Sequence, residues 1–531
     1  MRLAALLRRL TDAGLLPASS AGTARQVGPG GLEAFPDEVL DIDVDHLTDD
    51  SREIGPGGLF VAIRGHEADG HRFIEQAVEN GAAAVLCEAL PDGVSDDAAS
   101  AVVAGDRAAF VRSPDTRAAL AEAAAAFYGD PSHELKLVGV TGTNGKTTTA
   151  YLVRHVLRAL GETTALIGTV ETDLGAGVTE STLTTPGPVQ LQDMLRTAAG
   201  NGCTAGAMEV SSHALDQQRT RATRFAAGVF TNLTPEHLDY HGTLDAYRAA
   251  KKRLFDALPA GGVALYNADD LAGVKVVRDT PARKISFGER GDVRLHVREN
   301  RLDGLRLALD GADARAFRLV GRFNAYNLAA AYAAARAMGY EQGETLDALA
   351  EAPPVPGRFE QVRFPATDGE GASESRVVIV DYAHTPDALE NVLRAISEVR
   401  AERCSQEQGA VWCVFGCGGD RDRAKRPRMG RLAEQLADRV VVTSDNPRTE
   451  NPAAIIDEIR AGLEHPEDAL FIEDRRAAIR EAARRSTGGD VILIAGKGHE
   501  TYQIIGSEKR SFDDRKEAKK SFGKPPFGDD T

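Results

Sequence analysis

Apolar residues recur along this chain in short runs, each followed by an amphipathic, helix-like stretch, and that alternation predicts strands joined by crossover helices. The first 133 residues mix short strands at 59–63 and 83–87 with helices. They close with an alanine-rich helix over 116–128, which Gly129-Asp130-Pro131-Ser132 stops. From Lys136 an apolar run enters a glycine-rich turn and a helix, and further runs follow at 165–170, 205–210, 226–230 and 262–267. The stiff segment Ala352-Pro353-Pro354-Val355-Pro356-Gly357 divides these from runs at 377–380, 411–415, 439–443, 469–472 and 491–495. The expected fold class is therefore α/β in three domains, 1–133, 134–352 and 353–531, the last two built on doubly wound parallel sheets. Residues 366–374 read as a surface loop and the tail from about residue 523 as disordered.

Composition narrows the function classes. A length of 531 residues exceeds one core, and a net charge of −16 argues against a general nucleic-acid or anionic-membrane binder. No apolar run reaches the length of a membrane span, and Arg8 and Arg9 interrupt the leucines of the N-terminus, unlike a signal peptide. Cys87, Cys203, Cys404, Cys413 and Cys417 are few, odd in number and mostly set in apolar runs, as reduced buried thiols are. Cys413 and Cys417 form at most half of a zinc site, since no second ligand pair follows at the required spacing. A cytoplasmic protein is expected.

Three segments carry candidate chemistry. The stretch Thr141-Gly142-Thr143-Asn144-Gly145-Lys146-Thr147-Thr148 lies between an apolar strand and a helix, where backbone N–H groups and the helix N-terminus make an anion cradle. Lys146 would sit against the β and γ phosphates and the Thr147 hydroxyl would reach Mg²⁺. The usual first glycine is replaced by Val140. The bland alternative is a glycine-rich turn with an incidental lysine. Glu209 and His237 each follow an apolar strand, where open sheets bind their ligands, and are candidate metal ligands for phosphoryl transfer. Read alone, each is as readily structural. Lys251, by its helical spacing, reads as a solvated surface lysine.

The ordered motifs TGTNGKTTT, MEVSSHAL, FTNLTPEHLDYHGT with YRAAK, GRFNAYN, PGRFE, VDYAHTPD, GCGGDRD, SDNPRTE, AGKGHE and SFDDR span residues 48 to 515 and closely resemble the Mur ligases. The resemblance implies an N-terminal domain for the UDP end of the substrate, a central P-loop ATPase and a Rossmann-like C-terminal domain that closes over the site. It implies a monomeric ligase of peptidoglycan synthesis using ATP and Mg²⁺. The carboxylate of UDP-MurNAc-L-Ala-D-Glu is phosphorylated to an acyl phosphate, which diaminopimelate attacks to give an amide, ADP and phosphate. Carried over by motif, Gly142, Thr143, Asn144, Gly145, Lys146, Thr147, Thr148, Asn324, Arg358 and Asp381 hold ATP. Thr147, Glu209, His237 and Lys251, the last as a carbamate, hold the metal. Asp49, Ser51, His66, Glu67, Ala68, Thr184, Thr185, Ser211, Gln217 and Arg219 hold the UDP-peptide. The family commonly has an apolar residue in place of Asp49. Arg421, Asp445, Asn446, Pro447, Arg448, Gly496 and Glu500 hold diaminopimelate, with Pro447 fixing the local φ that aims the Arg448 fork at the far carboxylate. A folylpolyglutamate synthetase shares the ATPase core but lacks such an N-terminal domain and the DNPR segment.

Overall fold

The structure, a computed structural model, describes residues 1–16, 36–65, 68–91, 102–104, 107–364, 375–401 and 409–523. His66, Glu67, Cys404, the 366–374 loop and the tail beyond Gly523 lie outside the described residues.

Among the described residues, three large sheets follow one another along the chain, and a two-stranded ribbon, Tyr502–Ile505 with Glu508–Ser511, follows the third. In the first, His46–Thr48, Gly58–Val61, Ala84–Cys87 and Ala109–Arg112 run parallel, with Val102–Ala104 antiparallel at the edge. Leu3, Leu6, Leu7 and Leu10 repeat at helical spacing, so helix Leu3–Asp12 buries one stripe in a core shared with helix Thr116–Phe127. The Asp115 carboxylate caps the latter by accepting from the Ala118 N–H.

The central sheet has eleven strands, and six of them form a parallel core: Arg283–Gly288, which the sequence reading did not include, then the five expected strands Val263–Asn267, Ala227–Phe230, Lys136–Thr141, Ala205–Glu209 and Thr164–Ile167, in spatial order. Both edges extend beyond the sequence reading in antiparallel pairs, Glu171–Asp173 with Val178–Glu180 on one side and the ribbon Val293–Arg301, Gly304–Leu309, Arg315–Phe317 on the other. Their half-buried alternation suits antiparallel pairing, whereas the fully buried core strands read as continuous apolar runs. The third sheet sets Arg376–Asp381, Val491–Ala495, Val411–Phe415, Arg439–Val442 and Leu470–Phe471 in parallel, with Glu360–Phe364 antiparallel at its edge.

Strand order positions the site. Lys136–Thr141 lies between Ala205–Glu209 and Ala227–Phe230, and the chain leaves it for Thr164–Ile167 on one side before returning to the other. That reversal opens a crevice at the C-terminal ends of these strands. Among the described residues, no helix is long and apolar enough to cross a membrane.

One buried ion pair binds the last helix to the third sheet. Arg475 grips Asp514 with two parallel bonds, Nε to Oδ1 at 2.8 Å and Nη2 to Oδ2 at 2.7 Å, and both side chains are fully buried. Removing one partner strands the other charge, so Asp514→Ala should cost about 3–5 kcal/mol in chemical denaturation. A loss below about 1 kcal/mol, the range of an exposed pair, would mean that the carbonyls of Ser444 and Ala495 suffice for Arg475.

Candidate active site

The segment 142–145 joins strand Lys136–Thr141 to helix Lys146–Ala159. Gly145 has a φ of 86°, and a Cβ there would lie 2.5 Å from the Asn327 Oδ1, so no other residue fits the turn without strain. The Lys146 ammonium folds back on the loop, donating to the Gly142 and Thr143 carbonyls at 3.0 and 2.8 Å. Burial pushes its pKa down, against the pull of Glu236 and Glu209. The Asn144 N–H donates to Asn232 Oδ1 at 2.8 Å, and its amide donates to Asp387 Oδ2 at 2.6 Å.

Glu209 is buried where its strand ends. Its carboxylate accepts from the Thr147 hydroxyl at 2.9 Å, the Thr169 N–H at 2.7 Å and the Thr169 hydroxyl at 3.1 Å. A Cβ on Gly168 would come within 2.6 Å of Glu209 Oε1, which requires glycine in the turn facing it. Thr147 Oγ1 also accepts from the Arg358 guanidinium at 3.1 Å.

The solvated reading of Lys251 is wrong: the side chain is 1% exposed. Helix Leu244–Asp256 turns it inward, where Nζ donates to the Gly142 carbonyl at 2.8 Å and lies 4.2 Å from the Tyr247 ring centroid. Burial, reinforced by Lys146, drives its pKa well below the ordinary lysine value, with Glu236 opposing. His237 has a left-handed φ of 56°, and its ring packs 4.7 Å from that of His213. Its pKa is lowered by burial against the pull of Glu236. Among the described residues no three His, Cys, Asp or Glu side chains converge into a ready-made ion site. Cys87, Cys203, Cys413 and Cys417 are buried free thiols.

These groups line a cleft of about 800 Å³ with Thr143, Asn144, Gly145, Thr148, Arg358 and Asp381. Thr184, Thr185, Ser211, Gln217 and Arg219 line it too. Thr185 Oγ1 donates to the Glu209 carbonyl at 2.8 Å, and Arg219 donates to the Thr185 carbonyl at 3.0 Å and to Gln217 Oε1 at 2.7 Å. Asp49, Ser51 and Ala68 stand off its wall, although Asp49 lies close enough to Arg219 to favour the charged guanidinium. Ser51 donates to Gln76 at 3.2 Å. Asn324 is spent within its helix, donating to the Val320 carbonyl and accepting from Asn327, and it lines a smaller neighbouring cavity of about 230 Å³. Asn327 is the asparagine that faces the main cleft. Both oxygens of Asp381 accept backbone N–H groups, from Phe359 and Ala383, and burial raises its pKa.

A second cleft of about 950 Å³ is lined by Arg421, Asp445, Asn446, Arg448, Gly496 and Glu500, with Pro447 off its wall. The expectation that Pro447 aims the arginine is corrected. Arg448 itself adopts a left-handed φ of 52°, held by its N–H on the Ile504 carbonyl at 3.1 Å and its carbonyl under the Gly506 N–H at 2.7 Å. A proline ring fixes only its own φ. The Arg448 guanidinium donates to the Gly419 carbonyl at 2.7 Å. Glu236, His237, Tyr382, His384, Thr385 and Asp387 line both clefts. Sequence reasoning assigned no role to Glu236, His384, Asp387 or Lys497, although the quoted motifs contain all four; Thr169 had no signal beyond the end of a strand.

Three family profiles match the chain: "Mur ligase family, catalytic domain" over residues 43–128, "Mur ligase middle domain" over 140–335, and "Mur ligase, glutamate ligase domain" over 357–498. The chain is 42% identical over 485 residues to the UDP-N-acetylmuramoyl-L-alanyl-D-glutamate--2,6-diaminopimelate ligase of Parabacteroides distasonis, covering 91% of this chain and 95% of that one. It is 44% identical over 504 residues to the protein of the same name from Thermosynechococcus vestitus, covering 94% and 96%. A solved structure of that name superposes with a TM-score of 0.63 at 31% identity, covering 96% of this chain and 99% of the other.

His499 packs against Tyr382, ring centroids 5.0 Å apart, and its Nδ1 is buried without a hydrogen-bond partner. Burial, then the cations Arg358 and Arg515, push its pKa from 6.5 down to about 3. The unfolded chain therefore takes up a proton at this histidine that the folded chain refuses, and stability present above pH 6.5 is lost as pH falls toward 3. His499→Gln should flatten the dependence of the melting temperature on pH between about 6.5 and 4.5 relative to the parent. Parallel slopes in the two proteins would assign the acid sensitivity elsewhere.

Proposed function

The chain belongs to the Mur ligase family, and on that premise we propose that it is an ATP-dependent ligase adding diaminopimelate to UDP-N-acetylmuramoyl-L-alanyl-D-glutamate in peptidoglycan synthesis. One observation carries the reading: the cleft holding Lys146, Glu209 and Lys251 shares a wall, Glu236, His237, Tyr382, His384, Thr385 and Asp387, with the one holding Arg448, Asp445 and Glu500. Two successive half-reactions need sites that adjoin in this way. In the first, a glutamate carboxylate oxygen attacks the γ-phosphorus of ATP, giving an acyl phosphate and ADP. In the second, an amine of diaminopimelate attacks the acyl carbon, phosphate leaves, and the amine gives up a proton.

Each group has work matched to its surroundings. The Lys146 ammonium and the N–H groups of 142–147 offset charge on the phosphates. Arg358 and Asp381 flank the nucleotide, and the 1–133 domain, with Asp49, Ser51, His66, Glu67 and Ala68, takes the UDP end while Thr184, Thr185, Ser211, Gln217 and Arg219 hold the peptide. The 134–352 domain supplies the ATPase and the 353–531 domain the amino-acid site. Arg448 supplies a permanently charged fork for the far carboxylate of diaminopimelate, the group that lysine lacks. The buried free thiols suit a reducing compartment such as the cytoplasm.

Oxygen donors suit Mg²⁺, and the Thr147 hydroxyl and Glu209 carboxylate are of that kind. Bound there with help from His237, the ion would neutralise phosphate charge during transfer. An unmodified Lys251 would repel it, but a lysine amine driven toward neutrality by burial is one that carbon dioxide can carbamylate, and the product is an anionic oxygen ligand.

The reading is tested with an amino-acid panel of meso-diaminopimelate, LL-diaminopimelate and L-lysine, each with ATP and the UDP-dipeptide. One diaminopimelate isomer should exceed lysine in kcat/KM by roughly 10⁴, as expected when a buried polar partner is left unmatched. Equal use of lysine sinks the assignment of Arg448. Separately, Lys251→Ala should lose at least about 10² in kcat and regain part of it with added formate or acetate, while Lys251→Arg should not respond. Enzyme equilibrated with ¹³C-bicarbonate should carry a carbamate resonance absent from both variants. Full activity of Lys251→Ala without additive removes the carbamate from the mechanism.

A further inference from the structure

Lys497 follows strand Val491–Ala495, is fully buried, and was assigned no role above. An ammonium has three donors, and here each has an acceptor: Asn446 Oδ1 at 2.9 Å, Glu500 Oε2 at 3.0 Å and Asp445 Oδ1 at 3.5 Å. All three acceptors belong to residues lining the amino-acid cleft. The Asn446 amide closes the cluster by donating to the same Glu500 oxygen at 2.9 Å.

Charge decides what this arrangement can receive. Asp445 and Glu500 bring two negative charges and Lys497 one positive, while Arg475 is engaged by Asp514. Asp445 lies below the ordinary carboxylate range: burial raises it, but Lys497 and Arg475 outweigh burial. Asp445, Glu500 and Lys497 together carry one net negative charge, with Lys425 also lining the cleft and lowering Asp445, and Glu500 Oε1 has no protein partner among the described residues. Without Lys497, two buried carboxylates would lie uncompensated, and Glu500 would keep only the Asn446 amide while Asn446 would keep that bond and the Ile504 N–H at 3.0 Å.

Resting on the ligase reading above, we propose that Lys497 is a positioning residue of the amino-acid site, whose buried ammonium fixes Glu500 and Asn446 so that together with Asp445 they receive the distal ammonium of the incoming amino acid. The adjoining Arg448 then takes the distal carboxylate, so the two ends of one amino-acid head are read by two differently held groups. Lys497 touches the acceptors and acts on the substrate through them.

The test is steady-state kinetics of the parent and Lys497→Met with each of the three substrates varied in turn. The diaminopimelate KM should rise about tenfold to a hundredfold, the range for losing a hydrogen bond to a charged group. The KM values for ATP and the UDP-dipeptide should stay within about twofold, as uniform binding there is untouched. In a Glu500→Gln background the same substitution should add little, since both changes break one coupling. An unchanged diaminopimelate KM, a common rise in all three KM values, or full additivity with Glu500→Gln each overturns the proposal. If Lys497→Met does not fold, Lys497→Arg replaces it: the bulkier fork must displace Glu500 and Asn446, so the diaminopimelate KM alone should rise, and a normal value overturns the proposal. A parent that adds no diaminopimelate overturns the ligase reading and this inference with it. A parent that adds it beside a variant with an unmoved KM overturns this inference alone.

Discussion

A carboxylate buried at the end of a strand has to be met by donors from several directions, and Glu209 draws the catalytic loops together for that reason. The phosphate loop answers with the Thr147 hydroxyl, the 168–169 turn with an N–H and a hydroxyl, and the peptide-side turn with Thr185 on the neighbouring carbonyl. The two turns also touch directly, through the Thr169 and Thr184 hydroxyls at 3.1 Å. The glycine at 168 belongs to the same logic, since only a residue without a Cβ lets the turn come close enough to donate. Lys251 and Lys146 then share the Gly142 carbonyl as an acceptor, so burial first and the neighbouring Lys146 second lower the pKa of Lys251.

The same economy links the central and third sheets. Asp387, at the start of helix Pro386–Ala401, accepts from Asn144 in the phosphate loop and from Thr234, while Arg358 reaches Thr147 from the far side of the proline-rich segment. These bonds run between side chains of the segments that line the cleft, beside an apolar contact in which Leu302, Val320 and Phe323 pack into the core of the third sheet. The apolar clusters are largely segregated by sheet.

Much of this was legible in the sequence because its physics is local. Runs of buried apolar residues marked the parallel strands, and a strand, a glycine-rich turn and a helix marked the phosphate loop. What escaped depended on neighbours distant along the chain. Helical spacing could not reveal that Lys251 points inward, because the inward face of that helix is defined by Gly142, more than a hundred residues earlier. The antiparallel ribbon over 293–317 escaped because its alternation is weaker than the continuous runs around it. Asn324 was taken for its motif position, but in the first turn of helix Arg322–Ala337 its amide bonds back to the Val320 carbonyl before the helix, and Asn327, a turn later, faces the cleft instead. Thr169 has no local signature at all; only the strand order brings it to Glu209.

The left-handed backbone at Arg448 limits which side chains that position can exchange. Asparagine and glycine adopt this conformation readily, other unbranched residues pay on the order of 1–2 kcal/mol, and β-branched residues pay more. The alphabet available for retuning the pocket is therefore narrow and skewed. A variant library that samples all twenty residues at 448 would be filtered first by the turn and only afterwards by the ligand, so shifts in amino-acid preference are more freely reached by changing the residues around the arginine than by replacing it.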